Sequence, residues 1–346
     1  MVSEESRIFK NEEVLYPEYL PEMLLHREEQ VKLLARNLTQ VGEGRKPQNT
    51  FFFGSPGIGK TAVTKYVFRE FEDYSGIKTI YLNCWDFKTS LAILSQIVIE
   101  LGFPVQRRGW AKDEIFSRLL EALRKTKKGL VICLDEVDQL SDQEALYDLL
   151  RINQSVENQV GIVFISNDPF VFSNLEPRIK SSLNLEEIEF KPYSFEELKN
   201  ILTERARDAF RSFEEGVISL AANQAKERGG DVRMGLEILI KAGRVAENSN
   251  KDQVKVEDVR QVLGKIQKIK PKILEEKIGE EEKLILKIVK EDAKIPFGEL
   301  YQKYFGTSEK PVTERTFQNY LGHLSRLNLL NLKKRKVNGR RIVSKV

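Results

Sequence analysis

Apolar positions follow two periods along this chain. Short apolar runs at Thr50–Phe53, Ile77–Cys84, Gly129–Leu134 and Gly161–Ser166 predict buried strands. Helical spacing fills the stretches between them. Residues 17–40 open on a Pro-bounded extended segment and continue as a helix, with Leu33, Leu34 and Leu38 on one face. Further helices are predicted from the end of GSPGIGKT to near Glu72, over Thr89–Leu101, over 112–125 and over 142–154. Strands alternating with helices predict a mostly parallel sheet with helices on both faces. After Pro192 only helical periods remain, at 194–210, 214–227, 231–247 and 256–263, which predict a small helical domain. IQKIKPK (266–272) is a charged linker. Three helical stretches follow, at 280–291, 297–305 and 313–327, and then NLLNLKKRKVNGRRIVSKV. Asn338-Gly339 between alternating runs signals a hairpin. Three helices and a basic hairpin describe a winged helix.

Composition narrows the class. With 346 residues, 41% hydrophobic and 31% charged, the chain forms cores and is long enough for two or three domains. No apolar run approaches the ~20 residues of a membrane span. The N-terminal MVSEESRIFKNEE lacks a secretory apolar region, so an intracellular, cytoplasmic protein with no membrane partner is expected. Cys84 and Cys133 each sit inside an apolar run, which argues against a disulfide framework or a zinc site. Charge is divided unevenly. Residues 1–264 hold 36 Lys and Arg against 42 Asp and Glu, whereas residues 265–346 hold 20 against 10. The basic segment suggests a polyanion partner.

Gly54-Ser55-Pro56-Gly57-Ile58-Gly59-Lys60-Thr61 matches the pattern G-x4-G-K-[ST], between an apolar strand and a helix, and these residues with Ala62 would bind the nucleotide. The glycines let backbone N–H groups curl round phosphates at a helix N-terminus. Lys60 would reach the β- and γ-phosphates of ATP or ADP, and Thr61 would offer its hydroxyl to Mg2+. Leu130–Leu134 ends in Asp135-Glu136. There Asp135 would hold Mg2+ and Glu136 would polarise an attacking water. Asn167, at the end of another apolar strand, would orient that water.

On the stretch 313–327, Phe317, Tyr320, Leu321, Leu324 and Leu327 share one side. Arg315, Gln318, Asn319 and Arg326 share the other, the chemistry a helix needs to read base edges. Thr313 would cap this helix and bond a phosphate. The hairpin adds Lys333, Lys334, Arg335, Lys336, Arg340 and Arg341. Its tip would enter a minor groove while its flanks meet phosphates. A solvated basic edge that resists aggregation is the alternative.

Together these residues resemble an AAA+ ATPase and, more narrowly, the archaeal origin-recognition initiators of the cell-division-control helicase-loader family. The marks run along nearly the whole chain: Tyr19-Leu-Pro21 with His26-Arg27-Glu28, GSPGIGKT, LDEVD, the Asn167 strand end, Leu175-Glu-Pro-Arg178, Lys191-Pro-Tyr193, Ile201-Leu-Thr-Glu-Arg205 and Gly230-Asp-Val-Arg233. The resemblance implies an α/β fold: a P-loop AAA+ parallel-sheet domain (1–192), an α-helical lid (193–264), a linker (265–275) and a C-terminal winged-helix domain (276–346). It also implies roles. Tyr19, Pro21 and Arg27 would form one side of the adenine pocket, and Tyr193 and Arg205 would contact nucleotide from the lid. Arg233 would sense the γ-phosphate, and Arg178 would act as an arginine finger on a neighbour's ATP. Residues 86–110 occupy the place of a family insertion, where Arg107, Arg108 and Trp110 would touch DNA. Met234-Gly235 departs from the second basic residue and small residue expected after Arg233.

The function these features imply is an ATP-dependent replication initiator that binds origin double-stranded DNA through the winged helix and the insertion. It would recruit a replicative MCM-type helicase, pair with other initiator copies or paralogues, and hydrolyse ATP slowly as a switch. A nucleotide-switched transcription regulator or signalling ATPase stands as the alternative, and a motor or clamp-loader subunit as a third reading.

Overall fold

The computed structural model describes residues 6–105, 109–126, 128–142, 144–264, 278–291, 294–308, 311–326, 330–334 and 341–345. It divides into two compact units, Met1–Arg260 and Gln261–Val346.

The first unit is built on a five-stranded parallel sheet ordered β2-β3-β4-β1-β5. The strands are β1 (Asn49–Phe53), β2 (Lys78–Asn83), β3 (Leu130–Asp135), β4 (Val160–Ser166) and β5 (Leu185–Glu189). LVICLD and VGIVFIS are buried at every position, because helices cover both faces of a parallel sheet. Those helices are α1 (Glu28–Gly42), α2 (Lys60–Ser75), α3 (Ser90–Glu100), α4 (Lys112–Thr126), α5 (Glu144–Ser155) and α6 (Pro177–Leu183). Buried Asn49 pins the sheet's start: its side-chain amide donates to Leu183 O (2.7 Å) and its oxygen accepts the Ile162 N–H (3.0 Å). The parallel register brings the C-terminal ends of β1, β3 and β4 to one edge, where open α/β sheets bind ligands.

β5 has no counterpart in the sequence reading. Its LEEIE buries only Ile188, so neither alternation nor an apolar run marks it. It pairs with β1 at the edge of the sheet, and its Glu186 accepts from Arg36 (2.7 Å) and Asn37 (2.6 Å) on α1.

The lid helices are α7 (Phe195–Ala209), α8 (Glu215–Glu227), α9 (Val232–Asn248) and α10 (256–264). Ser194 and Glu197 form a reciprocal capping box that fixes the start of α7. The N-terminal segment runs along the lid. Lys10 N–H donates to Ala209 O (2.7 Å), Arg211 N–H donates to Ile8 O (2.8 Å), and the Phe9 and Phe210 rings pack 5.3 Å apart.

The second unit is a winged helix. Its helices are α11 (Glu280–Glu291), α12 (Phe297–Thr307) and α13 (Glu314–Arg326), and its antiparallel sheet is ordered β6-β8-β7. β7 (Leu330–Lys334) and β8 (Arg341–Lys345) are the anticipated hairpin strands. β6 (Lys294–Pro296) was not anticipated, since three residues carry no readable period. Ile285, Leu300, Tyr304, Phe317, Leu321 and Leu324 form the core.

Candidate functional site

The loop after β1 must approach the lid closely, and this is where its glycines act. Gly57 has φ +72°, and a Cβ there would lie 1.8 Å from Asp231 Oδ1. Gly59 has φ +96°, caps α2, and would meet the Tyr193 hydroxyl at 2.9 Å. The start of α9 is docked on this loop. Val232 N–H donates to Gly57 O (3.1 Å), and the Asp231 carboxylate accepts the Arg233 N–H (2.9 Å).

Lys60 is only 6% exposed. Its ammonium donates to Gly54 O (2.7 Å), Ser55 O (2.8 Å) and Asn167 Oδ1 (3.0 Å). Burial lowers its pKa to about 8; Asp135 opposes the shift and Arg233 adds to it. Asp135, 4% exposed, is saturated with donors. Oδ2 accepts from the Thr61 hydroxyl (2.7 Å) and the Tyr81 hydroxyl (2.6 Å), and Oδ1 accepts the Glu136 N–H (2.8 Å). Burial, then the Asp135 charge, pushes the Tyr81 hydroxyl far above its ordinary pKa, so it acts as a fixed donor. Glu136 sits in the left-handed region (φ +55°), and its carboxylate accepts the indole N–H of Trp85. At the end of β4, the Ser166 hydroxyl donates to Asp138 (2.7 Å) and accepts the Asp168 N–H (2.9 Å), which fixes the turn carrying Asn167.

Two arginines tie the far wall together. Arg205 of α7, 8% exposed, donates to Tyr19 O (3.3 Å) and Tyr16 O (3.0 Å), and its guanidinium lies 4.7 Å from the Tyr19 ring centroid. Burial lowers its pKa to about 10, and its Nε is buried with no protein partner. Arg27 donates to Ile58 O, Lys191 O and His26 O and stacks 3.7 Å from the Tyr193 ring centroid. Burial lowers the Arg27 pKa and raises that of the Tyr193 hydroxyl to about 12.

One cleft collects most of the anticipated residues. The loop contributes Pro56, Gly57, Gly59, Lys60, Thr61 and Ala62, and the strand ends contribute Asp135, Glu136 and Asn167. Tyr19 and Pro21 line it from the N-terminal segment; Tyr193, Arg205 and Arg233 line it from the lid side. Gly54, Ser55, Ile58 and Arg27 are not among the lining residues. Arg27 instead joins the back of the loop to the lid. Arg178 stands at the start of α6, described by its backbone. Arg107 and Arg108 lie outside the described residues, and Trp110 packs against the sheet core. Sequence reasoning missed Tyr81 and Trp85, which reach the site only because β2 pairs with β3.

On the C-terminal unit, Thr313 caps α13 by accepting the Thr316 N–H (3.4 Å). Arg315, Gln318 and Asn319 are exposed, while Phe317, Leu321 and Leu324 are buried, as the helical period predicts. Arg326 ends α13, Lys333 and Lys334 lie on β7, and Arg341 lies on β8, all placed by backbone. Arg335, Lys336, Arg340, Leu327 and the Asn338-Gly339 turn fall outside the described residues.

The parallel sheet, phosphate-type loop, carboxylate strand end and docked helical lid define an AAA+ ATPase. Residues 44–168 match the family model described as an AAA domain, and residues 199–263 match that of the Cdc6 AAA+ ATPase-type lid domain. The ORC1-type DNA replication protein of Pyrococcus abyssi is 35% identical, over 94% of this chain and 84% of that protein. The structure of the Aeropyrum pernix ORC1 protein in complex with DNA aligns with TM-score 0.73 and 31% identity, covering 99% of this chain and 94% of that one. The Aeropyrum pernix ORC2 protein, solved as ADPNP–ADP complexes, shares the fold with TM-score 0.74 at 23% identity, over 98% and 94% of the two chains. The chain belongs to the family of ORC1-type DNA replication proteins.

Proposed function

We propose that this protein is an ATP-dependent initiator of DNA replication. The observation that carries the reading is the convergence of Lys60, Thr61, Asp135, Glu136, Asn167 and Arg233 in one cleft between sheet and lid. ATP fits this cleft. Lys60 would exchange its bonds to Gly54 O and Ser55 O for the β- and γ-phosphates, and the buried Arg205 Nε offers a donor that the protein leaves unused. Mg2+ fits as well: Thr61 and Asp135 present hard oxygens 2.7 Å apart, and an ion that takes its remaining ligands from phosphate and water suits so small a protein set. Bound there, it would neutralise phosphate charge. Glu136 would polarise the attacking water, Asn167 would orient it, and Arg233 would register the γ-phosphate. Arg178 would complete the site of a neighbouring initiator copy or paralogue. Slow hydrolysis would act as a switch.

In this reading residues 1–192 form the base, 193–264 the lid, 265–275 the linker and 276–346 the DNA-binding domain. The exposed Arg315, Gln318 and Asn319 of α13 would read base edges in origin double-stranded DNA. Thr313, Arg326 and the hairpin's Lys333, Lys334, Arg335, Lys336, Arg340 and Arg341 would grip its backbone. The insertion that carries Arg107 and Arg108 would make a second contact. The similar Aeropyrum pernix protein, solved with DNA, supports DNA as the partner. Recruitment of an MCM-type helicase at the nucleoid completes the proposal.

The test is genome-wide crosslinking of the protein to DNA, compared with mapped replication start points. Peaks at start points, lost in Arg315→Ala, are expected. Peaks spread over promoters with none at start points would overturn the initiator reading in favour of a nucleotide-switched transcription regulator.

A further inference from the structure

We propose that His323 of α13 is a DNA-phosphate contact that works only when its ring is doubly protonated, so that binding DNA takes up a proton. The inference rests on the reading of α13 as the helix that meets DNA.

His323 stands at the border of the exposed face of α13. With about 3.6 residues per turn, it falls one turn beyond the exposed Asn319 and round the edge toward the side that buries Phe317, Leu321 and Leu324. Its side chain is 41% exposed. Gly322 precedes it, and a Cβ there would meet nothing within 4 Å, so the surface beside the ring is open to a strand of DNA.

Beneath the ring lies a carboxylate 41 positions away, that of Glu282 in the first turn of α11, only 7% exposed. Its Oε2 accepts the Gly279 N–H (2.9 Å), the reach back over a helix start that a glutamate makes in a capping box. Its Oε1 lies 2.6 Å from His323 Nδ1. The helix start favours a charged carboxylate, and a carboxylate only accepts. Nδ1 therefore carries a hydrogen and donates it inward. The other charges on the elements packed against His323 are placed differently. On α11, Glu281 accepts from the hydroxyls of Tyr304 and Ser308, Glu280 pairs with Lys283 (2.6 Å), and Lys287 is exposed. Arg326 ends α13, and Lys333 and Lys334 lie on β7, all placed by backbone. Among the described residues Glu282 is the charged group bonded to the ring.

Committing the Nδ1 hydrogen inward decides what the other nitrogen can do. Among the described residues Nε2 has no hydrogen-bond partner. In the neutral ring it is a bare lone pair, which repels a phosphate oxygen. Once protonated it is a charged donor, able to bond a phosphate while Nδ1 stays on Glu282. DNA and the proton then bind together, each strengthening the other. The contact is present at low pH and is lost as pH rises and the ring gives up its outer proton. Histidine is the side chain whose charge ordinarily changes near neutrality.

The test uses the full chain and a short mixed-sequence DNA duplex, because a phosphate contact is indifferent to base sequence. Titration calorimetry between pH 6 and 8, in two buffers of different ionisation heat, counts the protons taken up on binding. The wild type should take up a fraction of one proton per bound chain. His323→Asn, whose amide can still donate to Glu282 but does not titrate, should take up none. By fluorescence anisotropy at pH 6, His323→Asn should bind about tenfold more weakly, with a salt slope shallower by about one. At pH 8 the two proteins should bind alike. A deficit of the same size at both pH values would make His323 a packing residue and overturn the proposal, as would equal proton uptake in both proteins. Wild-type binding without proton uptake anywhere in that range would overturn it whether or not the variant folds. No wild-type binding to DNA at either pH would instead remove the reading of α13, and the proposal with it.

Discussion

The two units put their polar side chains to opposite uses. In the nucleotide unit Lys60, Asp135, Arg27 and Arg205 are all buried, and their hydrogen bonds are made within the chain. On α13 of the winged helix Arg315, Gln318 and Asn319 are exposed. A cleft for a small polyanion works by preorganisation in a low dielectric, where each charge is strong and desolvation has already been met. A face for a long polyanion works by many screened contacts, each weak, whose sum depends on counterion release. The proposed nucleotide site should therefore respond steeply to single side chains, and the proposed DNA face to ionic conditions.

That contrast can be broken in three ways. The largest expected effect is that of salt. If six phosphates are neutralised, log K for DNA falls with log salt at a slope of about −5, about a thousandfold between 50 and 200 mM. Fluorescence anisotropy measures it, and ATP affinity over the same range should change far less. A slope near zero would mean that the basic face does not carry the binding. Next comes Lys60→Ala. Calorimetry should show ATP affinity reduced about a hundredfold, the loss of one charged hydrogen-bond donor, with DNA affinity almost unmoved. Equal losses in both would join two sites that the structure builds separately.

The smallest effect is that of pH. Lys60 gives up its proton near pH 8 in the nucleotide-free protein, well below an ordinary lysine. Phosphates bind the ammonium, so ATP affinity should be flat below pH 8 and fall above it, about tenfold lower at pH 9 as the protonated fraction drops. A flat ATP titration from pH 7 to 9 would show that Lys60 keeps its proton through that range.

The sequence announced elements wherever one period dominated. LVICLD, VGIVFIS and the amphipathic stretch over α13 could be placed from pattern alone, and GSPGIGKT named its own chemistry. LEEIE at β5 and KIP at β6 were silent, because an edge strand with one buried side chain and a three-residue strand carry no period. The site showed the same limit. Thr61, Asp135 and Asn167 belong to motifs, whereas Tyr81 and Trp85 stand 54 and 51 residues from their carboxylate partners and meet them only through strand pairing. The resemblance puts Arg27 on one side of the adenine pocket, whereas the side chain bonds the carbonyls of Ile58 and Lys191 and is not among the residues lining the cleft; no spacing reveals that direction.

The grip of Arg205 on the carbonyls of Tyr16 and Tyr19 joins residues 189 and 186 positions apart, and Ile8 and Lys10 are held by Arg211 and Ala209, farther still along the chain. This sets an order of events during synthesis. The sheet and its phosphate loop can form as soon as β5 leaves the ribosome, in keeping with N-terminal regions folding first. The N-terminal wall of the cleft is translated before any of them, yet it must wait for α7 to emerge before it has anything to hold. A segment made before the sheet finds its place after it, and a nascent chain gains a complete pocket only once its lid has been delivered.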